Sequence, residues 1–366
     1  MDELNLIIDS AREVLAKEFD ARRLHAFIDG KDDAAEQLWQ LAIDMGWLGA
    51  STPERLGGLG LAPVASFAIL KECGRRAVPG PIMPALVAAV WAAGLEDGSV
   101  LEVIGADVAA GNLRLLLPAF DWRGAVNVNA QGVLQGSLSG MIGWQGANAA
   151  LVPAIHEGRR AVVLAELAAD GNAFHPQTLW DKTRQAGTAS FDGARVIGMI
   201  ADEDGSQLAR LRTVLLLAIA GDSMGGAENA LAISTAYTKE RYQFGRPVGS
   251  FQALKHRMSS MHVNILQGAR LYQFAADLYS QGGADAAQWA MLAKAEACEV
   301  FAQAAEESIL LHGGVGYTWE FDPHIYAKRS RLNAYAGGES RSLRNEAWSF
   351  VMTASDAGRS TAEIAA

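Results

Sequence analysis

The sequence predicts a mainly α-helical protein with a β domain in the middle of the chain. Apolar residues recur at helical spacing before residue 110 and again after residue 203. Between these two parts the apolar segments are short or alternating, and Gly, Asp and Asn separate them, which is typical of strands. These changes of pattern place the predicted domains at residues 1–111, 112–201 and 202–366.

Composition excludes several classes of function. The 366 residues are 50% hydrophobic, which is enough for two or three domains with a large core. The 31 basic and 41 acidic residues form no long run of either sign, which argues against nucleic-acid binding and against an anionic membrane surface. The two cysteines, Cys73 and Cys298, lie far apart on helical patterns and are expected to be buried thiols. This count excludes a disulfide framework, a C-x-x-C redox site and a cysteine metal cluster, and no metal is predicted.

Targeting and membrane segments are not expected. The N-terminal residues have neither the basic region nor the apolar core of a signal peptide. The uncharged stretch 77–95 contains Pro79, Pro81 and Pro84, which favour a loop that leads into a buried helix over a membrane span. The apolar run 214–220 is too short to cross a bilayer. The sequence therefore predicts a cytoplasmic protein without membrane contact.

The N-terminal part is predicted to consist of helices joined by glycine-rich turns. One apolar helical face ends at Met45, and Gly46 follows it as the residue after the C-cap. A tight turn at 56–61 precedes the next helix, which is predicted at 66–76. Because no strand precedes this turn and no G-x-G-x-x-G is present, a dinucleotide-binding loop is excluded.

The two remaining parts follow the same reasoning. Five short apolar or alternating segments are predicted as strands: 113–117, 126–128, 133–138, 150–154 and 161–165. Long helical patterns follow and predict a buried four-helix bundle: 207–240, 252–280, 285–311 and a shorter pair within 322–354.

A polar break at 239–252 separates the first two of these long helices. It carries Arg241, Gln243 and Phe244 in close succession. A guanidinium can bind an anion with two hydrogen bonds and an amide can pair with a ring edge, so the break can hold a phosphate and a ring. The residues alone favour a simpler alternative, a solvated helix end at which Arg241 binds the last carbonyls.

Three stretches resemble acyl-CoA dehydrogenases. RYQFGRPVGSFQ at 241–252 resembles the family signature R-x-x-F-G-x-P-[IV]-x-x-[FH]-Q, and LHGGVGYTWE at 311–320 resembles the glycine-rich loop on the adenine side of the cofactor. GWLG at 46–49 with PERLGGLG at 53–60 is similar to the family's N-terminal domain. The resemblance implies an N-terminal helical domain, a middle β-barrel and a C-terminal four-helix bundle. It also implies FAD as cofactor, an acyl-CoA substrate that is oxidised at a CH–CH bond, and an electron-transfer flavoprotein as a partner.

The catalytic base of the family is missing at both of its usual positions. The Glu of the family's Y-E-G-T motif corresponds to Ala336, and the alternative position on the long helix corresponds to Leu215. Glu339, about one helical turn beyond Ala336, is a substitute, but a charge in the first turn of the last helix explains it as well. Asp222 and Glu228 interrupt the apolar helix and are more typical of packing hydrogen bonds than of a base. The catalytic residue is therefore unknown.

The cofactor residues implied by the resemblance divide into a lost set and a kept set. The family's T-E-P-G-A-G-S-D-like loop is replaced at 117–124, its W-I-T-N-G strand is replaced at 141–148, and Leu310 and Gly338 replace a usual Gln and Thr. Of the kept residues, those between Arg241 and Gln252 correspond to family residues that reach the flavin of a neighbouring subunit. Those from His312 to Gly314 belong to the adenine-side loop. The predicted cofactor-binding residues are Arg241, Gln243, Phe244, Phe251, Gln252, His312, Gly313 and Gly314.

This chain keeps the residues that contact the flavin of a neighbouring subunit and loses those of its own flavin site. We interpret such a chain as a helper subunit. Such unequal pairs resemble the α₂β₂ acyl-CoA dehydrogenases of bacterial steroid degradation, in which a partner subunit supplies the base and the main flavin site. Two alternatives stay open: a self-sufficient homo-oligomer that uses another carboxylate, and a binding or scaffold protein without turnover. The small residues between Gly221 and Gly226 either leave room for a bulky acyl group or permit close helix packing.

Overall fold

The computed structural model describes residues 2–95, 98–122, 124–144, 146–167 and 173–356. Helices precede and follow a region of strands, and the predicted order of helical, β and helical parts is confirmed. The first helices are α1 Asp2–Glu18, α2 Ala21–Ile28, α3 Ala34–Asp44, α4 Pro63–Arg75, α5 Ile82–Ala93 and α6 Gly98–Ala109. The strands of the middle region are β1 Leu115–Pro118, β2 Val126–Val128, β3 Val133–Gly143, β4 Ala149–His156, β5 Arg159–Glu166, β6 Phe174–Pro176 and β7 Gln185–Ala201. The remaining elements are α7 Ser206–Glu240, β8 Tyr242–Gln243, β9 Arg246–Pro247, α8 Gln252–Ser280, α9 Ala286–His312, α10 Pro323–Tyr335 and α11 Ser340–Asp356.

The long helices lie where the sequence predicts them. The bounds of α7, α8 and α9 differ from the predicted ones by at most one residue. The five predicted strands correspond to β1 to β5, but β6 and β7 were not assigned. β7 was missed because Gly187, Gly193 and Gly198 dilute its apolar alternation. Gly187 is needed there, since a Cβ atom would lie 2.1 Å from the carbonyl oxygen of His175 on β6.

The chain divides into two compact units, and one of them contains the strands. This unit consists of residues 23–69 and 78–215. Its sheet has the strand order β1-β3-β2-β4-β5-β7-β6, with additional pairings of β1 with β4 and of β3 with β7. Apolar side chains from β1 to β7 fill one buried cluster, which includes Leu116, Val152 and Phe191. The domain boundaries predicted at residues 111 and 201 stay a prediction.

The same unit contains α5, every described residue of which from Ile82 to Ala92 is buried. The predicted buried helix is therefore confirmed. The sequence predicts Pro84 in the loop before this helix, but Pro84 lies in the first turn of α5. A proline is tolerated there because N–H groups in a first helical turn have no helical acceptor. Among the described residues, no helix is long and apolar enough to cross a membrane.

The other unit is built around α9. It consists of residues up to 22, residues 70–77 and the chain from residue 216. α8, α10 and α11 all pack against α9, and alanine is the commonest residue type among the buried residues of α9. Both cysteines are buried thiols, as expected, and burial raises the pKa of Cys298.

α7 and α9 run in the same direction, side by side. Four pairs of residues in contact show this, because the residue numbers rise together along both helices. The pairs are Ser223 and Cys298, Gly226 and Phe301, Ser234 and Ser308, and Tyr237 and His312. The C-terminal ends of the two helices therefore lie next to each other. The segments that follow these ends, after Glu240 and after His312, start from the same place.

Close helix packing accounts for the small residues of α7. A Cβ atom on Gly226 would lie 2.4 Å from Cζ of Phe301 on α9. A Cβ atom on Gly225 would lie 1.9 Å from the carbonyl oxygen of Lys71, near the end of α4. Of the two alternatives left open by the sequence, the packing one therefore describes these two glycines.

A chain of alternating charges ties α1, α4 and α7 together within this unit. Glu72 is buried and accepts hydrogen bonds from Arg12 at 2.9 Å and from Arg75 at 2.9 Å. Arg75 also pairs with Glu228, which binds Lys71 at 2.7 Å. Burial alone would raise the pKa of the Glu72 carboxyl, but Arg12 and Arg75 outweigh it and hold that pKa below its ordinary value of 4.5.

This pKa predicts a loss of stability in acid. A carboxyl whose pKa is lowered by folding contributes stability above its unfolded pKa, and that contribution is lost as the pH falls through the folded pKa. We expect the free energy of unfolding of the wild-type chain to decrease as the pH is lowered from about 4.5. Glu72→Gln should reduce the stability at pH 7 and flatten this acid limb in urea titrations at several pH values. Glu13→Gln, which changes an exposed carboxylate on α1, is the control; equal acid limbs in wild type and Glu72→Gln would contradict the prediction.

Candidate functional site

The segment after α7 forms a tight hairpin. The backbone N–H of Arg241 donates to the carbonyl of Tyr237 at 2.8 Å, which extends the helical pattern by one residue. β8 and β9 then pair, with Tyr242 opposite Pro247. Phe244 and Gly245 form the tip with φ values of 53° and 74°, and such values are uncommon for a residue other than glycine. The N–H of Val248 donates to the carbonyl of Arg241 at 2.7 Å and closes the hairpin.

The hairpin presents its side chains outward. Phe244 is 91% exposed and Tyr242 is 61% exposed, and Arg241 and Gln243 are exposed beside them. The edge of the Phe244 ring contacts Phe251, with the centroids 6.1 Å apart. Within the described residues, the Arg241 side chain makes no hydrogen bond to the last carbonyls of α7, so the simpler helix-end alternative is not what the structure contains. The outward surface instead offers a guanidinium, amides and a ring face together.

The glycine turn after α9 is the second predicted half of the site. α9 ends at His312, and a 3₁₀ turn spans Gly313–Tyr317. Gly313 has a φ of 66°, and a Cβ atom on Gly313 or Gly314 would have no heavy atom within 4 Å. The backbone of this turn is therefore open to close approach by a ligand.

His312 is buried at the start of this turn. Its Nδ1 lies 2.7 Å from the carbonyl oxygen of Ser308, which can only accept, so Nδ1 carries the proton. Burial lowers the pKa of His312, and the Ser308 carbonyl and the charge of Asp322 offset this only in part. The imidazole is therefore neutral at pH 7, and its ring stacks on Tyr237 at a centroid distance of 4.4 Å.

The structure brings the two predicted halves together at one end of α7 and α9. The eight predicted cofactor residues lie in the hairpin, at the start of α8, at the end of α9 or in the glycine turn. Large apolar side chains are exposed in and beside the hairpin and the glycine turn, and we call this set the apolar rim: Tyr242, Phe244, Leu310, Tyr317 and Trp319. Exposed apolar groups in one region are typical of a surface that another protein covers.

The first position expected for a base, Ala336, is buried and lies directly after α10. The turn behind it is packed tightly, since a Cβ atom on Gly337 would lie 2.7 Å from Cδ2 of Leu216. The buried ammonium of Lys294 donates to the carbonyl of Ala334 at 3.0 Å and to that of Gly338. The sequence does not predict this buried position of Lys294, because a lysine in an alanine-rich helix is normally exposed.

The second expected position, Leu215, is also fully buried and carries no ionisable group. Glu339 is exposed and immediately precedes α11, where its charge is favourable at a helix N-terminus. Glu228 is occupied by Lys71 and Arg75. None of these residues has the arrangement expected of a base.

Asp222 holds a buried polar cluster. Its carboxylate is fully buried and accepts two hydrogen bonds from Arg329, one from Nε at 3.0 Å, and one from Asn333 Nδ2 at 2.8 Å. Asn333 Nδ2 also donates to the hydroxyl of Ser223 at 3.0 Å. Both oxygens of this carboxylate are engaged by buried donors, which is the arrangement of a structural ion pair. Asp222 is therefore the packing residue that its position suggested, and its partner Arg329 was not foreseen.

The segment 117–124 corresponds to the family loop that holds the flavin ring. Two of its backbone N–H groups are already engaged in hydrogen bonds within this chain. The N–H groups of Ala119 and Phe120 both donate to the carbonyl of Gly140, at 2.9 and 3.0 Å. β3 ends at Gly143, and the ring of Trp144 packs against Phe27 at 6.0 Å. Positions 123 and 145 of the two predicted replacement stretches lie outside the described residues.

Comparison with known proteins adds the family context. The family model described as acyl-CoA dehydrogenase, N-terminal domain, matches residues 1–98, and the one described as acyl-CoA dehydrogenase, C-terminal domain, matches residues 213–349. Acyl-CoA dehydrogenase IpdE2 from Mycobacterium tuberculosis is 27% identical over 357 residues, which cover 95% of this chain and 98% of that protein.

Solved structures show the same similarity. A variant of the Tcur3481-Tcur3483 steroid ACAD has a TM-score of 0.84 and 26% identity, over 97% of this chain and 99% of the matched one. A chain of the ChsE4-ChsE5 complex from Mycobacterium tuberculosis has a TM-score of 0.81 and 23% identity, over 94% and 96% of the two chains.

The Asp222 cluster predicts a large effect of a single substitution. Arg329→Met would leave Asp222 buried without its main partner, and we expect the free energy of unfolding to fall by about 3–5 kcal/mol. Urea titration followed by circular dichroism measures this. Arg257→Met is the matched control, because it removes a half-exposed pair with Glu307 and should cost at most about 1 kcal/mol. Equal losses in the two variants would contradict the buried ion pair.

Proposed function

The chain belongs to the acyl-CoA dehydrogenase family, and we propose that it is the non-catalytic subunit of a heteromeric member that completes the flavin site of a partner subunit. The observation that carries this proposal is the outward hairpin, with Phe244 91% exposed. A set of cofactor residues that faces solvent, rimmed by exposed apolar side chains, fits a site shared with another chain.

The residues of this surface fit FAD, the cofactor of the family. Arg241 supplies a planar guanidinium for the diphosphate, and Gln243 and Gln252 supply amides for its polar groups. Gly313 and Gly314 leave the backbone open on the adenine side. Bound FAD supplies the hydride acceptor of the family reaction. The role of this chain is to neutralise the diphosphate, to hold the cofactor and to exclude water beside Phe244.

We assign proton removal to the partner, because the two usual positions of the base carry no ionisable group. Neither Ala336 nor Leu215 can accept a proton. The carboxylates nearest to these positions are either paired in the interior, as Asp222 is, or exposed at a helix start, as Glu339 is. The occupied N–H groups of Ala119 and Phe120 further support a ring site that this chain does not complete by itself.

The strand pairings support a closed middle domain. β1 pairs with β3, β3 with β7, β7 with β5, β5 with β4, and β4 with β1. We infer that this ring is the barrel of the family. The proposed domain boundaries at residues 111 and 201 lie beside it, after α6 and before α7.

The substrate and assembly are proposed from the relatives. One matched structure is a steroid ACAD and another is a two-protein complex. We infer that this chain forms an α₂β₂ heterotetramer which desaturates the acyl-CoA of a bulky, steroid-derived acid. Electrons would then leave to an electron-transfer flavoprotein. Gly225 and Gly226 of α7 do not support the bulky acyl group, because the space beside them is filled by α4 and α9.

Co-expression tests the proposal. The chain is purified alone and together with the adjacently encoded acyl-CoA dehydrogenase-like chain, and mass and flavin absorbance are recorded for each. We expect a colourless chain alone and a yellow heteromer with both. Arg241→Ala should weaken FAD binding by the heteromer at least about tenfold, since a charge-assisted hydrogen bond is lost. Arg22→Ala, which changes an exposed arginine on α2, should leave FAD binding unchanged. A lone chain that binds FAD and oxidises an acyl-CoA would overturn the proposal.

Glu339→Gln tests the self-sufficient alternative separately. Because Glu339 is exposed and precedes α11, we expect the heteromer with this variant to keep its full rate of acyl-CoA oxidation. Stopped-flow reduction of the flavin by substrate measures that rate. A loss of about a hundredfold or more would make Glu339 the base and remove the helper role.

A further inference from the structure

We propose that Tyr237 is a positioning residue that holds the hairpin and the glycine turn in a fixed arrangement. The inference rests on the proposed function, because it assigns the geometry of the same cofactor-contacting surface. No motif in the sequence marks this residue. Its role follows from what it contacts on each side.

The backbone of Tyr237 anchors the hairpin. Its carbonyl accepts the N–H of Arg241 at 2.8 Å, and the carbonyl of Arg241 in turn accepts the N–H of Val248 at 2.7 Å. These two hydrogen bonds fix where the hairpin leaves α7 and where it returns. The position of Arg241 therefore depends on the end of α7 at Tyr237.

The side chain of Tyr237 anchors the glycine turn. Its ring stacks on His312 with an interplanar angle of 21°, and His312 directly precedes Gly313. Phe321 places its edge against both rings, 5.8 Å from Tyr237 and 6.1 Å from His312. The three rings form a cluster that connects the end of α7 to the residue before the glycine turn and to the segment that follows it.

A second contact keeps this stack in register. The hydroxyl of Ser234 donates to the hydroxyl of Ser308 at 2.8 Å, about one helical turn before the ring stack on both helices. The carbonyl of Ser308 also accepts from His312 at 2.7 Å. Two cross-links one turn apart prevent α7 and α9 from sliding at these ends. Of the residues in these two cross-links, Tyr237 contacts both Arg241 of the hairpin and His312 beside the glycine turn.

The ring face, not the hydroxyl, carries this role. Within the part of the chain that the structure describes, the Tyr237 hydroxyl makes no hydrogen bond. Tyr237→Phe should therefore preserve the arrangement, whereas Tyr237→Leu removes the flat face on which His312 stacks.

Hydrogen exchange of the chain alone is the first test. In Tyr237→Leu we expect faster exchange at the Val248 amide and in the Gly313–Tyr317 turn together, by about tenfold or more, while Tyr237→Phe matches wild type. Phe274→Leu is the matched control, because it removes an aromatic contact between α8 and α9, with Trp289 at 4.8 Å, away from the hairpin. Faster exchange in only one segment, or in neither, would overturn the inference.

The heteromer provides the second test. We expect Tyr237→Leu to weaken FAD binding about tenfold without changing the mass of the assembly, and Tyr237→Phe to restore wild-type binding. Fluorescence titration of the flavin-free heteromer measures this. Equal affinity in Tyr237→Leu and wild type would overturn the inference and leave the helper function intact. A wild-type pair that does not assemble or bind FAD would overturn the helper function, and the exchange test on the lone chain would still decide the role of Tyr237.

Discussion

The parallel contact between α7 and α9 is the constraint on which this surface depends. It forms because α7 has no side chain at Gly226, where Phe301 fills the space. Because the two helices run in the same direction, their ends lie together, and the segments that follow them become neighbours. A hairpin and a turn separated by some seventy residues of sequence are combined in this way without any direct link between them.

The interior of the same unit is held by charges as well as by apolar packing. Asp222 with Arg329, and Glu72 with Arg12 and Arg75, place ion pairs where α4, α7 and α10 meet. Such pairs contribute little net stability compared with apolar side chains, but each fixes the relative positions of the elements that carry it. The contacts of Asp222 and Glu228 indicate that these two carboxylates of α7 have structural roles. Among the proposed cofactor residues, Arg241, Gln243 and Phe244 are exposed, whereas His312 is buried at the start of the glycine turn.

Much of the fold follows from the sequence, because long amphipathic patterns and glycine-rich breaks are strong local signals. α7, α8 and α9 are predictable for this reason, and so is the turn after Gly46, which has a φ of 68°. β7 is not predictable from the sequence, because its glycine at position 187 allows a close contact with β6, and a local pattern carries no information on a neighbouring strand. Lys294 and Arg329 escape for a related reason: their partners are distant carbonyls and a distant carboxylate, and burial of a charge becomes visible only when both partners are in place. Tyr237 belongs to the same group, since its importance comes from a ring on another helix.

The tight packing behind Ala336 limits what a single substitution can change there. A Cβ atom on Gly337 would lie 2.7 Å from Cδ2 of Leu216, and Lys294 donates to the carbonyls of Ala334 and Gly338. A glutamate at position 336 would enter a buried and filled interior, and such overpacking is destabilising unless the neighbouring side chains change with it. Under the proposed helper role, the return of a base to this chain would therefore take several substitutions together and not one.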